Sequence, residues 1–509
     1  MSEDRFGEGR GPFRHSDHPR PLTRRQFLGQ GFLTGAAMIA GPTLLGLLRS
    51  PEARAQAVLD CGLGAALGNR IPIIVFDLGG GASIAGSNVL VRGPGGALDE
   101  LSEAGYTKLG LPPTMTPAAD PAMVTGLVAG EDPELAGALP MHATSALLDG
   151  IRRRASATTL ANVNGCLFCA RSDNDTGNNP HNPMYGLYGA GRDGRIVTLI
   201  GTQSSESGGR SASPPAMVVP SVRPTKVDRP SDATGLVDTG KLIELLDSDD
   251  AAAVMLAAQN ISDRKVEAIT EQALVEELIQ CSFRETTYLV ENFSNPSAFD
   301  PTLDPVIQAI FPEGVESRGE FRKTASVMKL VANDLAGAGT IEFGGYDYHD
   351  STRATGERKD RVAGEAIGAV LEYAARRQPS PTPIVVYVIS DGSVASDGVI
   401  DNSVDGGGKG IWKGDNSSTA GTLMLVYDPQ ARPAQNPANR GQIGIFKPNG
   451  SVDTEATIIA DEVELLAQAA VLNYVALHNE VGSFGSFVNH GLGSNLDALI
   501  GLQPLLRFT

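Results

Sequence analysis

Three side chains able to bind a metal or move a proton, Asp347, His349 and Asp350, stand within one short run, directly after Gly344 and Gly345. Carboxylates and a neutral imidazole are the donors that a hard or borderline divalent cation accepts. Asp347 and His349 alternate, so in an extended segment both side chains share one face. A fourth acid, Asp391, lies in Ser390-Asp391-Gly392, and a fifth, Asp77, opens the run Asp77-Leu78-Gly79-Gly80-Gly81-Ala82-Ser83-Ile84-Ala85-Gly86-Ser87-Asn88. Carboxylates brought together repel unless a cation or a proton sits between them. The expected site is therefore a divalent metal ion, its identity open, held by Asp77, Asp347, His349, Asp350 and Asp391. Such an ion polarises a phosphoryl or sulfuryl oxygen, and Ser83 or Ser87 would be the attacking hydroxyl. His181 and Asp415 are further candidates for the same rim. The rival reading of Asp347 and His349 is an ordinary hydrogen-bonded loop.

The elements that must position these groups are legible on either side. Thr340–Phe343 reads as a strand, and Ile384–Ile389 is a continuous apolar run typical of a strand covered on both faces. Between them Val362, Ala366, Ile367, Val370, Leu371 and Ala374 recur at helical spacing over residues 358–377, and prolines 379, 381 and 383 stop that helix. Ile71–Phe76 is a third buried strand. Ligands in open parallel sheets bind beyond the carboxyl ends of strands, and all these acids follow such ends. The three strands are expected to be neighbours. The glycine-rich turn after Phe76 lacks both the dinucleotide fingerprint and the Gly-Lys-Ser/Thr of a phosphate loop. Further helices are read at 142–154, 239–285, 321–335 and 454–478, and further strands at 158–163, 195–201 and 421–427. The alternation predicts an α/β fold, a mainly parallel sheet flanked by helices, with large loop insertions at about 92–140, 203–236, 292–320 and 401–418.

The chain has 509 residues, a formal net charge of −18 and a composition 41% hydrophobic and 20% charged. That is a globular composition, and its acidity argues against a nucleic acid as partner, since a phosphate backbone needs a basic face. Thr23-Arg24-Arg25-Gln26-Phe27-Leu28 has the form of a twin-arginine export motif. A glycine- and alanine-rich apolar stretch and Ala55-Gln56-Ala57 follow it. Residues 1–57 are read as the signal, with the Tat translocase as export partner, and 58–509 as one large α/β domain outside the cytoplasm, periplasmic or extracellular. The four cysteines, 61, 166, 169 and 281, all fall in that mature region. Cys166 and Cys169 form a lone C-x-x-C, read as a local disulfide or as two buried thiols, with redox chemistry a third reading.

Taken together, the signal, the Phe76–Ala82 turn, the polar loop around Asn179-Pro180-His181, the Gly344-Gly345-Tyr346-Asp347-Tyr348-His349 motif and the Ile389–Gly392 strand end resemble the Tat-exported bacterial family known as DUF1501. That family is related to the alkaline phosphatase/sulfatase superfamily. The resemblance implies an alkaline-phosphatase-like fold and metal-dependent hydrolysis of phosphate or sulfate esters. Two positions depart from the pattern: Gly392 stands where the superfamily has a histidine after the acid, and Gly414-Asp415-Asn416 where the family has Asp-His-Gly. Two functions follow, an exported hydrolase of that type or a non-catalytic cell-envelope protein on the same fold that serves in assembly or binds a small-molecule or envelope ligand.

Overall fold

A mixed sheet of eight strands organises the computed structural model, which describes residues 70–173, 179–237 and 296–509. In chain order the strands are β1 (Ile73–Gly79), β2 (Val163–Phe168), β3 (Val197–Gly201), β4 (Thr225–Lys226), β5 (Ala336–Gly344), β6 (Ile384–Ser390), β7 (Thr422–Tyr427) and β8 (Gln442–Ile443). Their order across the sheet is β8-β2-β7-β6-β1-β5-β3-β4. β7 runs antiparallel to both neighbours, and the other pairs are parallel. β1 lies between β5 and β6, with Asp77 level with Glu342 on one side and Ile389 on the other. The three strands expected to be neighbours are therefore neighbours, and their carboxyl ends form one edge. The α/β character and the mostly parallel sheet are as expected.

Helices cover both faces. On one lie α1 (Ala146–Arg154), α3 (Gly319–Val331) and α4 (Ala354–Arg376); on the other lie α2 (Met184–Gly189) and α5 (Val463–Leu477). Alternation along β1 and β6 decides which side chains meet which layer. Ile73, Val75, Val385, Tyr387 and Ile389 pack with Leu466, Ala470 and Tyr474 of α5. α5 is buried on nearly every side, which is why its sequence is apolar all round rather than striped. α1 and α4 touch backbone to backbone: a Cβ on Gly364 would lie 2.0 Å from the carbonyl oxygen of Leu147. No helix of the described residues is long and apolar enough to cross a membrane.

Several local expectations are corrected. Residues 158–163 are not a strand. Ser156 caps a turn of helix at Ala157–Leu160, accepting from the Thr159 amide, and the strand begins at Val163 and runs through Cys166. Cys166 and Cys169 are free, buried thiols, not a disulfide. Three residues apart along extended backbone, they are held about 10 Å apart, beyond the reach of a disulfide. Burial pushes both thiols well above their usual range, which leaves no reactive thiolate. The last long helix starts at Val463, after turns, not at 454. The stretch 203–236 is not simply an exposed loop, since Ser207, Ser211 and Ser213 are buried and β4 lies within it. The expected signal at 1–57, Cys61, Cys281 and the expected helix at 239–285 lie outside the described residues.

Candidate functional site

The carboxyl edge of the sheet carries two adjoining polar clusters rather than one. The first is buried and built on β1 and β6. Asp77 is the fifth residue of β1 and fully buried. Its Oδ2 accepts from the backbone amides of Arg210 and Ser211, each at 2.7 Å. Its Oδ1 lies 2.9 Å from Ser211 Oγ, which is also 2.9 Å from Asp391 Oδ1 and 3.0 Å from His181 Nε2. Asp391 is fully buried; its Oδ2 lies 3.2 Å from Arg210 Nε and its backbone oxygen accepts from Asn179 Nδ2 at 2.8 Å. Gly209 makes this fit possible, because a Cβ there would fall 2.5 Å from Asp77 Oδ2. Burial, together with the neighbouring Asp391, pushes the Asp77 carboxyl up to about 7. Burial lowers His181 to about 4, so its ring is neutral at neutral pH.

The second cluster is open to solvent. His349 Nε2 lies 2.7 Å from Asp347 Oδ1 and 3.3 Å from Asp415 Oδ1, and the three side chains are 36%, 56% and 38% exposed. Among the described residues this is the group of three whose ligand atoms all fall within 4.8 Å of one another. Two carboxylate oxygens and one imidazole nitrogen suit a divalent cation with room for water or substrate on the solvent side. β5 ends at Gly344 and delivers Asp347 and His349, while Asp415 arrives from a short strand, Gly414–Asp415, paired antiparallel with Val394–Ala395 just beyond β6.

Backbone contacts tie the two clusters to the same edge. Ser390 Oγ donates to Leu78 O and accepts from Ala82 N, both at 2.7 Å, fastening β6 to the turn after β1. Tyr346 N donates to Gly79 O, and a Cβ on Gly80 would lie 2.4 Å from the amide nitrogen of Asp347. Tyr348 OH accepts from Ser83 N at 2.7 Å and donates to buried Asp360 at 2.9 Å, and Asp360 also accepts from Asn88 Nδ2. Tyr348→Phe removes the acceptor of a buried amide and a donor to a buried acid. It is expected to cost about 1–3 kcal/mol of stability, measured by denaturant unfolding, with cation affinity falling as the His349 loop loosens.

The expected single site is thus divided. Asp77 and Asp391 sit in the buried cluster and do not join the cation group; Asp347 and His349 do, together with Asp415. Asp350 is turned away: it caps its own turn, accepting from Thr352 and Thr355. Ser83 and Ser87 are buried, 2% and 0% exposed, and make no hydrogen bond to either cluster. His181 serves the buried cluster instead. His142 is structural, its Nε2 against Met115 O. His478, just past the end of α5, is lowered to about 4 by burial, and its Nε2 accepts from Ile71 N. The reading of the chain missed Arg210 and Ser211. The signal that finds them is the pair of strand-end acids, which need donors, and the nearby Ser/Gly-rich run, which is dense in them. Comparison of the chain with family models, with curated proteins and with solved structures gives no match.

Proposed function

We propose that this chain is a twin-arginine-exported, metal-dependent hydrolase of the phosphate- or sulfate-ester type, working outside the cytoplasm on the alkaline-phosphatase-like fold named above. The single observation that supports it most is the Asp347–His349–Asp415 group on the carboxyl edge of a mostly parallel sheet, where such folds bind ligands. A divalent cation held there supplies Lewis-acid polarisation of an ester oxygen. The chain's own residues do the rest. Arg210 has its Nε held by Asp391 and a side chain that is 44% exposed, and in this reading its guanidinium recognises the anionic ester. The turn Gly79–Gly81 brings backbone close to the same place.

Asp347→Ala and His349→Ala are expected to abolish saturable Mn²⁺ or Zn²⁺ binding in calorimetric titration, and hydrolysis of nitrophenyl phosphate or sulfate with it. Binding that survives both substitutions refutes the assignment. The second reading, a non-catalytic envelope protein binding a small-molecule or envelope ligand, is favoured by the burial of Ser83 and Ser87, which leaves neither at the rim as a nucleophile. It predicts wild-type protein that binds the cation yet turns over neither ester.

A further inference from the structure

The buried cluster poses a counting problem that does not depend on the hydrolase reading. Ser211 Oγ has three close neighbours, Asp77 Oδ1, Asp391 Oδ1 and His181 Nε2, at 2.9, 2.9 and 3.0 Å. A hydroxyl has one hydrogen and two lone pairs. It can therefore donate to one neighbour only, and the other two contacts need hydrogens from the neighbours. His181 supplies one in its Nε2–H tautomer. The remaining hydrogen must sit on a carboxyl oxygen facing Ser211.

Which carboxyl carries it follows from the other oxygens. Asp391 Oδ2 faces the Arg210 guanidinium, which favours the charged form of Asp391. Among the described residues no ion pair reaches Asp77: its Oδ2 takes two backbone N–H bonds, leaving Oδ1 as the place for a proton. The groups facing Asp77 are Asp391 from the end of β6, Arg210 and Ser211 from the loop after β3, and, through Ser211, His181. We infer that Asp77 and Asp391 together hold a single proton, carried on Asp77 Oδ1 and relayed through the Ser211 hydroxyl to Asp391, and that this proton keeps the 202–211 loop seated on the carboxyl edge of the sheet. When the proton leaves, Ser211 Oγ faces two carboxylate oxygens with one hydrogen to share. One contact then becomes oxygen against oxygen in a dry site, and Ser211 must draw away from one of the two strands. The loop thereby senses pH.

The sign is fixed by linkage. The Asp77 carboxyl is raised from 3.8 to about 7 in the folded protein. The folded state therefore holds more protons between those values, and this group's contribution falls as pH rises through that window. Asp360, also raised to about 7 by burial, and the buried histidines titrate as well, so the test is a difference. Asp77→Asn is isosteric with the protonated acid: Nδ2–H can donate to Ser211 and Oδ1 can accept both amides. The full mature chain and this variant are compared by melting temperature and by amide exchange at residues 210 and 211 across the window. The expected result is that the wild type loses melting temperature relative to the variant as pH rises. Its two amides should also open faster than those of the variant at the alkaline end. Parallel melting curves with equal exchange would overturn the proposal. Infrared spectroscopy on Asp360→Asn protein, which lacks the other raised buried acid, covers the case in which the Asp77 variant does not fold. A buried carboxylic-acid carbonyl band that remains there and bleaches on raising the pH supports the shared proton, and its absence in neutral solution refutes it.

Discussion

Glu357→Ala is expected to destabilise the fold by about 3–5 kcal/mol, the usual cost of stripping one partner from a buried ion cluster. Glu357 is 7% exposed and its Oε1 accepts from Arg353 Nε at 2.7 Å, while both its oxygens lie 2.9 Å from Lys409 Nζ. Burial raises the Glu357 carboxyl, but Arg353 and Lys409 outweigh it and hold the group below its ordinary value. Without Glu357 two cations remain, 1% and 2% exposed, with Arg353 also lying over the Trp412 ring at 4.2 Å. Burial already lowers Lys409 to about 8, and removing Glu357 lowers it further. The variant's deficit should therefore shrink in alkaline solution, where Lys409 loses its charge and only Arg353 remains unpaired. Urea midpoints at neutral and alkaline pH measure both effects. A loss under about 1 kcal/mol, the worth of an exposed pair, would mean the cluster is solvated.

Gly80→Ala is expected to strike the cation group without touching a ligand. Gly80 has φ +131°, a conformation that side-chain-bearing residues rarely adopt, and its added Cβ would meet Asp347 N at 2.4 Å and Asp347 Cβ at 2.9 Å. Backbone cannot yield as a side-chain tip can. The strain alone is worth about 1–3 kcal/mol, and the segment carrying Asp347 and His349 must shift outward from the turn after β1. Disturbing the support of a metal ligand typically costs roughly 10–100-fold in affinity, and that loss is expected in titration with Mn²⁺ or Zn²⁺. Unchanged affinity would mean that the Asp347 segment is not held by the turn.

What could be read from the chain depended on range. The unbroken apolar run Ile384–Ile389 is typical of a strand covered on both faces, and Ile71–Phe76 likewise, so the centre of the sheet was legible, although β1 itself runs Ile73–Gly79 and takes in Asp77. The glycines before Tyr346 marked the exit that presents Asp347 and His349. Asp415 as their third partner was not legible as such, because it depends on a two-residue pairing of Gly414–Asp415 with Val394–Ala395, too short to leave a period in the sequence. Asp77 and Asp391 were correctly placed on the edge but assigned to the wrong cluster. Carboxylates at strand ends need donors of some kind, and sequence alone does not distinguish a cation from a serine, an arginine and two amides. Ser211 was hidden because a Ser/Gly-rich run has the composition of an exposed loop, whereas here its polar groups are consumed inside. The β7 reversal was invisible for a simpler reason: a buried strand is apolar whichever way it runs.

The most direct test of the cation assignment is anomalous diffraction from crystals of the protein soaked in Mn²⁺. The account predicts one dominant peak within about 2–2.6 Å of Asp347, His349 and Asp415, with the Asp77–Ser211–Asp391 cluster free of density. A dominant peak between Asp77 and Asp391, or no peak at His349 at saturating Mn²⁺, would contradict it.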